Sequence, residues 1–329
     1  MLEPGRVVAL EANFCRVDLE CPGPDGQRQL LCTRRTRLAK GGLSICAGDW
    51  VEVDSIDWGG RTAVIAARGP RGNLLTRPLV ANVARVAVVV SLKEPDPDPL
   101  QITRFLVSAE QLSVPVHLVL SKADDLPEEM LDDWCGRLRA WGYDPLPVST
   151  RNGSGIQGLA RRLACPGISV LCGPSGVGKS SLLNALVPGL ALRVSPVSGR
   201  LRRGRHTTRH VGLFALPGAP DALVADTPGF NLPALPDSPL ELARCFPELR
   251  ALTQQPCRFV DCRHGGEAGC AMGADWPRQG MYRQCLAEVE AKAPGRRMGP
   301  AKETALREAS KRRRRLHLRE EVNPPDLED

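Results

Sequence analysis

Aromatic side chains make up only 4% of the 329 residues, so the chain has too few rings to bind nucleic acid chiefly by base stacking. Long apolar runs are missing too. Stretches such as Val86 to Val90 fall far short of the ~20 residues a helix needs to cross a bilayer. The opening Met1-Leu2-Glu3-Pro4-Gly5 has neither the basic start nor the apolar core of a secretory signal, and no internal repeat is apparent. Twelve cysteines would imply disulfides in a secreted chain. Without an export signal they read as metal ligands and free thiols of a cytoplasmic protein. A hydrophobic fraction of 42% is enough for real cores, and the length suits two domains, or three if some are small.

What is present is a set of nucleotide-binding motifs in an unusual order. Gly173-Pro174-Ser175-Gly176-Val177-Gly178-Lys179-Ser180 is a phosphate loop, whose glycines let backbone N–H groups close around the α/β-phosphates. Lys179 reaches the β/γ-phosphates, and Ser180 is a Mg²⁺ ligand. An apolar strand, Ile168 to Cys172, precedes it, and a helix beginning near Ser181 follows; the helix N-terminus adds its dipole to the phosphate site. Asp226-Thr227-Pro228-Gly229 follows another apolar strand. Its carboxylate suits a Mg²⁺-bound water, and the Gly229 N–H suits the γ-phosphate.

The guanine-reading tetrapeptide Ser121-Lys122-Ala123-Asp124 lies about fifty residues before the phosphate loop rather than after it. Asp124 can accept from both N–H groups on one edge of guanine, which adenine does not offer. Ser121 stands where such motifs usually carry Asn; its shorter side chain is not expected to make the same contact to purine and phosphate loop, which predicts weaker nucleotide binding. Ser149-Thr150 is placed to offer a backbone N–H to the guanine O6. Moving the motifs keeps the pocket but relocates the chain ends, so further domains are expected where the fold was cut.

Between phosphate loop and Asp226 lies Arg200-Leu201-Arg202-Arg203-Gly204-Arg205-His206-Thr207-Thr208-Arg209. Five arginines and no acid leave little to bury, as expected of a mobile switch in which Thr208 or Thr207 closes over Mg²⁺. Phe230 occupies the position where a glutamine often orients the attacking water. Water must then be oriented by His206, by backbone or by a partner, which predicts slow intrinsic hydrolysis accelerated by that partner.

Cys257, Cys262, His264 and Cys270 offer three thiolates and an imidazole within fourteen residues, a set suited to tetrahedral Zn²⁺. Gly265, Gly266 and Gly269 allow the chain to fold back around one structural ion. Cys245 and Cys285 flank the set as alternative ligands, and cysteines packed as small apolar residues or paired in a disulfide are the other reading.

The net charge of +7 is unevenly spread: residues 296–319 hold ten basic residues against two Glu, while the last ten hold five acids. The basic run Lys311-Arg312-Arg313-Arg314-Arg315 and the arginine-rich switch are the usual footprint of phosphate-backbone binding. In the first seventy residues, five alternating segments separated by turns suit a small barrel. Arg34, Arg35 and Arg37 are placed to face RNA there; an SH3-like barrel without that role is the alternative.

The permuted order, Arg205-His206-Thr207-Thr208, Asp226-Thr227-Pro228-Gly229-Phe230 and the cysteine cluster together resemble the family of ribosome small subunit-dependent GTPase A, bacterial assembly factors, over nearly the whole chain. Ser121 and Thr150 depart from the family pattern and bear on affinity. The resemblance implies GTP hydrolysis stimulated by the small ribosomal subunit late in its maturation. It also implies an OB-like β-barrel at 1–70, a circularly permuted α/β P-loop GTPase domain at 71–235, and a mostly helical zinc-binding domain with a basic tail at 236–329. Expected partners are GTP/GDP and the small subunit with its rRNA, with no membrane and a monomeric chain. The competing expectation is an RNA-binding scaffold whose nucleotide pocket has negligible turnover.

Overall fold

The computed structural model describes residues 2–11, 13–35, 44–76, 78–190, 192, 211–226, 233–254, 257–273 and 275–292. Strands β1 (Glu3–Glu11), β2 (Phe14–Leu19), β3 (Gln29–Arg34), β4 (Trp50–Asp57) and β5 (Thr62–Arg68) pair in the order β1-β2-β3-β5-β4, and β4 returns to β1. The barrel therefore closes on itself, which removes free sheet edges. Closure runs through one parallel pair, β3 with β5, an OB-like arrangement rather than the SH3-like one. Alternation along the strands sends Val7, Val17, Leu30, Val53 and Ile65 into one core.

After the barrel, β6 (Leu74–Thr76) and β7 (Leu79–Ala81) form a hairpin tied to it. Asp49 is fully buried. Its carboxylate accepts from Arg71 Nε at 2.6 Å, from Arg71 Nη2 at 2.8 Å and from the Cys46 N–H at 2.8 Å. A buried charge so fully paired resists separation, because breaking it strands the partner.

The second region is a sheet ordered β10-β9-β8-β11-β13-β12, with β8 (Val83–Ser91), β9 (Val116–Ser121), β10 (Pro145–Pro147), β11 (Gly167–Cys172) and β13 (Ala219–Asp226) parallel and β12 (Gly212–Leu216) antiparallel to β13. Helices cover both faces, so β8 reads as a continuous apolar run. Val86, Val88 and Val90 pack toward α1 (Pro99–Glu110) and α2 (Glu128–Ala140), while Ala87 and Val89 pack toward α3 (Ile156–Leu163) and α4 (Lys179–Leu186). Asp98 caps α1, its carboxylate accepting from the Leu100 N–H at 2.9 Å. Barrel and sheet meet edge to edge where Ala9 of β1 pairs with Gly212 of β12.

The last described region holds α5 (Pro239–Arg244), α6 (Pro247–Arg250) and α7 (Gln279–Lys292). Phe246 meets Tyr282 and Trp276 edge-on, with ring centroids 5.0 and 6.0 Å apart. Arg278, fully buried, donates to Glu248 at 2.7 Å and lies 4.5 Å from the Phe246 ring centroid and 5.1 Å from that of Trp141 at the end of α2. This region is thus locked onto the α1–α2 face of the sheet. Among the described residues, no helix is long and apolar enough to cross a membrane.

Candidate functional site

The phosphate loop leaves the carboxyl end of β11, and its backbone explains its glycines. Gly173 has φ +144, and a Cβ there would lie 1.9 Å from the Val89 carbonyl oxygen. Gly176 and Gly178 take φ +82 and +91. Gly178 leads directly into α4, whose first residues are Lys179, Ser180 and Ser181. Lys179 Nζ donates to the carbonyls of Gly173 and Pro174, each at 2.7 Å, so its ammonium sits inside the curve of the loop. Burial lowers its pKa to about 8, against a smaller opposing effect of Cys172. Val177 is buried, while Ser175 points outward.

Ser121 ends β9 beside this loop. Its Oγ lies 2.6 Å from the Val177 carbonyl and 3.0 Å from that of Val90. One hydroxyl proton serves one acceptor at a time, and the shorter distance favours Val177. Of the two contacts not expected of serine, to purine and to phosphate loop, the one to the loop is present: β8, β9 and β11 pack closely enough for a hydroxyl to span that gap.

Lys122 adopts φ 57, a left-handed conformation, and its Nζ donates to the Glu94 carbonyl at 2.6 Å. That turn presents Ala123 and Asp124. The Ala123 N–H donates to Val148 O at 3.1 Å and the Val148 N–H to Leu120 O at 2.8 Å, bringing the Ser149 loop alongside. Ser149 is buried, and its Oγ accepts from the N–H groups of Arg151 and Asn152 at 3.1 and 3.3 Å. A hydrogen bond from Ser149, aided by the Asp124 N–H and by Arg151, holds the Asp124 carboxyl below its ordinary pKa despite desolvation. Asp124 is thus an ionised acceptor whose side chain is 13% exposed although its backbone lies at the surface. Thr150 is exposed.

Asp226 ends β13 two strands from β8. Burial raises its pKa with no offsetting cation among the described residues, a setting a divalent ion would relieve. His206, Thr207, Thr208, Gly229 and Phe230, with the switch arginines, Arg37 and the basic tail, lie outside the described residues.

A second constellation stands in the C-terminal region. One ligand atom from each of Cys257, Cys262, His264 and Cys270 lies within 4.8 Å of the others. His264 Nδ1 is 3.5 Å from the sulfurs of Cys257 and Cys270 and 3.9 Å from that of Cys262, and the Cys257–Cys270 sulfurs are 4.0 Å apart. Bonds of about 2.3 Å to sulfur and about 2.0–2.1 Å to nitrogen in a tetrahedron imply separations of roughly 3.6–3.8 Å, so the donors fit such an ion. The Ala271 N–H donates to Cys257 Sγ at 3.3 Å. Positive φ at His264 (58), Gly266 (109) and Gly269 (87) folds the chain back as expected. Cys245 and Cys285 are instead buried with Phe246 and Tyr282 and take no part. None of the twelve cysteines is disulfide-bonded.

A groove of about 600 Å³ between barrel and β12–β13 is lined by Arg28, Arg61, Asp18 and Asp221, and its mixed charge gives no preference for an anion.

A family model described as RsgA GTPase matches residues 67–236. The chain is 54% identical over 286 residues to the small ribosomal subunit biogenesis GTPase RsgA of Synechococcus sp. (strain CC9605), spanning 86% of this chain and 93% of that protein. It is 43% identical over 337 residues to that of Thermosynechococcus vestitus (strain NIES-2133 / IAM M-273 / BP-1), spanning 97% and 96%. Among solved structures it resembles YjeQ from Thermotoga maritima, with a TM-score of 0.72, 31% identity and coverage of 88% of this chain and 99% of that one. It also resembles YloQ, a circularly permuted GTPase, with a TM-score of 0.71, 25% identity and coverage of 89% and 97%.

Proposed function

The chain belongs to the RsgA GTPase family, and from that premise we propose that it is a GTP hydrolase that acts in the cytoplasm on the maturing small ribosomal subunit, its turnover stimulated by that subunit. The observation that carries the reading is the convergence of three loops at the carboxyl edge of one parallel sheet: Gly173–Ser180, Ser121–Asp124 and Ser149–Thr150. The chain supplies them in permuted order, yet Ser121 touches Val177 and Ser149 touches Asp124.

In this reading the N–H groups from Ser175 to Ser181 cradle the phosphates and the helix N-terminus stabilises their charge. Lys179 trades the Gly173 and Pro174 carbonyls for β/γ-phosphate oxygens. Asp124 accepts the guanine N–H pair, and the Ser149–Thr150 backbone faces O6. Ser180 Oγ, with Thr208 and with Asp226 through water, would hold Mg²⁺, which when bound neutralises charge on the transferring phosphate. His206 is the candidate for orienting water. Zn²⁺ at Cys257, Cys262, His264 and Cys270 is structural, since protein fills all four positions. The protein acts as a monomer, and hydrolysis times its release from rRNA.

Phosphate release from GTP and ATP, measured alone and with small or large subunits, tests this. The expected result is strong stimulation by the small subunit for GTP only. Tight GTP binding with flat turnover under every condition would instead support the RNA-binding scaffold.

A further inference from the structure

Arg151 carries no motif signature, yet the fold brings it to the guanine-reading carboxylate. Ser149 Oγ accepts from the Arg151 and Asn152 N–H groups, and the Gly153 N–H returns to Ser149 O at 3.1 Å. This tight turn sends the Arg151 side chain back across the Ala123–Asp125 turn. Nη1 lies 3.4 Å from Asp125 Oδ1 and 3.9 Å from Asp124 Oδ2. The two partners differ in burial: the Arg151 side chain is 81% exposed, that of Asp124 13%. A tethered cation therefore lies on the solvent side of the carboxylate expected to read the base.

We propose that Arg151 is a nucleotide-positioning residue, the outer wall of the guanine site, with its guanidinium resting against the purine when the base is bound. A purine whose N–H groups meet Asp124 must lie close to the plane of that carboxylate. A group about 4 Å from Oδ2 is then within van der Waals reach of the purine rim. From the rim, rotation of this exposed side chain lays the planar, weakly hydrated guanidinium on the ring face at little desolvation cost, and lysine does not substitute equally. Asp125 holds the group in place before binding. The effect acts by contact rather than by ionising Asp124, since Ser149 leads the stabilisation of that charge and Arg151 contributes last. This assignment rests on Asp124 being the guanine reader.

The test uses the full-length chain: affinity for fluorescent GDP, and KM and kcat for GTP and ITP with small subunits present. Arg151→Ala is expected to raise Kd and KM about 3- to 5-fold, the range for an exposed cation–π contact, with kcat unchanged. Arg151→Lys should fall between that variant and the parent, and Asp125→Asn should move Kd in the same direction by less. The preference for GTP over ITP should persist in all three, because Asp124 still reads the 2-amino group. A Kd change under about 1.5-fold for Arg151→Ala would make the contact a surface ion pair only and overturn the proposal. A fall in kcat at constant KM would overturn it too. Asp124→Ala separates the premise: if guanine preference survives that change, the reading of Asp124 fails, whatever Arg151 does.

Discussion

The proposed nucleotide site draws its residues from four segments spread between Ser121 and Asp226, whereas the cysteine–histidine cluster lies wholly within Cys257–Cys270. The first is held by the register of a parallel sheet: β9 sets Ser121 against the phosphate loop, and β10 sets Ser149 against Asp124. It needs no ion for its shape. The second has exposed Phe259 and Val260 between its ligands and little apolar packing of its own, so its shape depends on what the four donors hold. One site is a product of the core, the other a local substitute for one.

Metal removal should separate them most sharply. Chelation is expected to remove local folding free energy on the order of 10–16 kcal/mol, and Cys262→Ser, which leaves three of the four donors, a part of it. Limited proteolysis should then cut within 257–273 while GDP affinity persists; unchanged proteolysis after verified metal loss would refute the structural role. Arg278→Ala probes the seam between the two regions. It strands the buried Glu248 carboxylate at a cost of roughly 3–5 kcal/mol, which calorimetry should register as a lower-melting C-terminal region with nucleotide affinity little changed.

Gly173→Ala is the reciprocal experiment. It imposes strain of roughly 1–3 kcal/mol at a left-handed residue, besides a Cβ placed 1.9 Å from Val89 O. Nucleotide affinity should collapse while zinc content, by atomic absorption, stays at its original level. The smallest effect is in pH. Burial lowers the Lys179 pKa to about 8, and phosphate favours the charged form, so binding takes up a proton only above that pH. GTP affinity should be flat below pH 8 and then fall, by at most about tenfold per unit. Calorimetry in buffers of different ionisation enthalpy would show the uptake, and none at pH 9 would refute the assignment.

The barrel strands were legible because period-two alternation runs through most of each one, broken where Val7–Val8 and Ile65–Ala66 are buried as neighbours. By contrast, α3 is only eight residues long: Ile156, Leu159, Ala160 and Leu163 stand at helical spacing, but two turns of period are a weak signal in a sequence. The hairpin at Leu74–Ala81 was not legible, because its anchor, Arg71 on Asp49, joins residues 22 apart. Nothing local in the sequence marks Arg278 as buried; the packing of Phe246, Tyr143 and Trp141 around it makes it so.

The amino-acid sequence by itself determined the chemistry of both sites. A phosphate loop needs its glycines and lysine in one short run, and a four-donor metal site within fourteen residues has few ways to close, so chain connectivity alone keeps those atoms near one another. Tertiary structure decided which distant groups meet. That Ser121 reaches Val177, that Ser149 steadies Asp124 and that Arg151 lies beside it follow from strand spacing and turn direction, which cooperative packing of the whole sheet sets and no local pattern encodes.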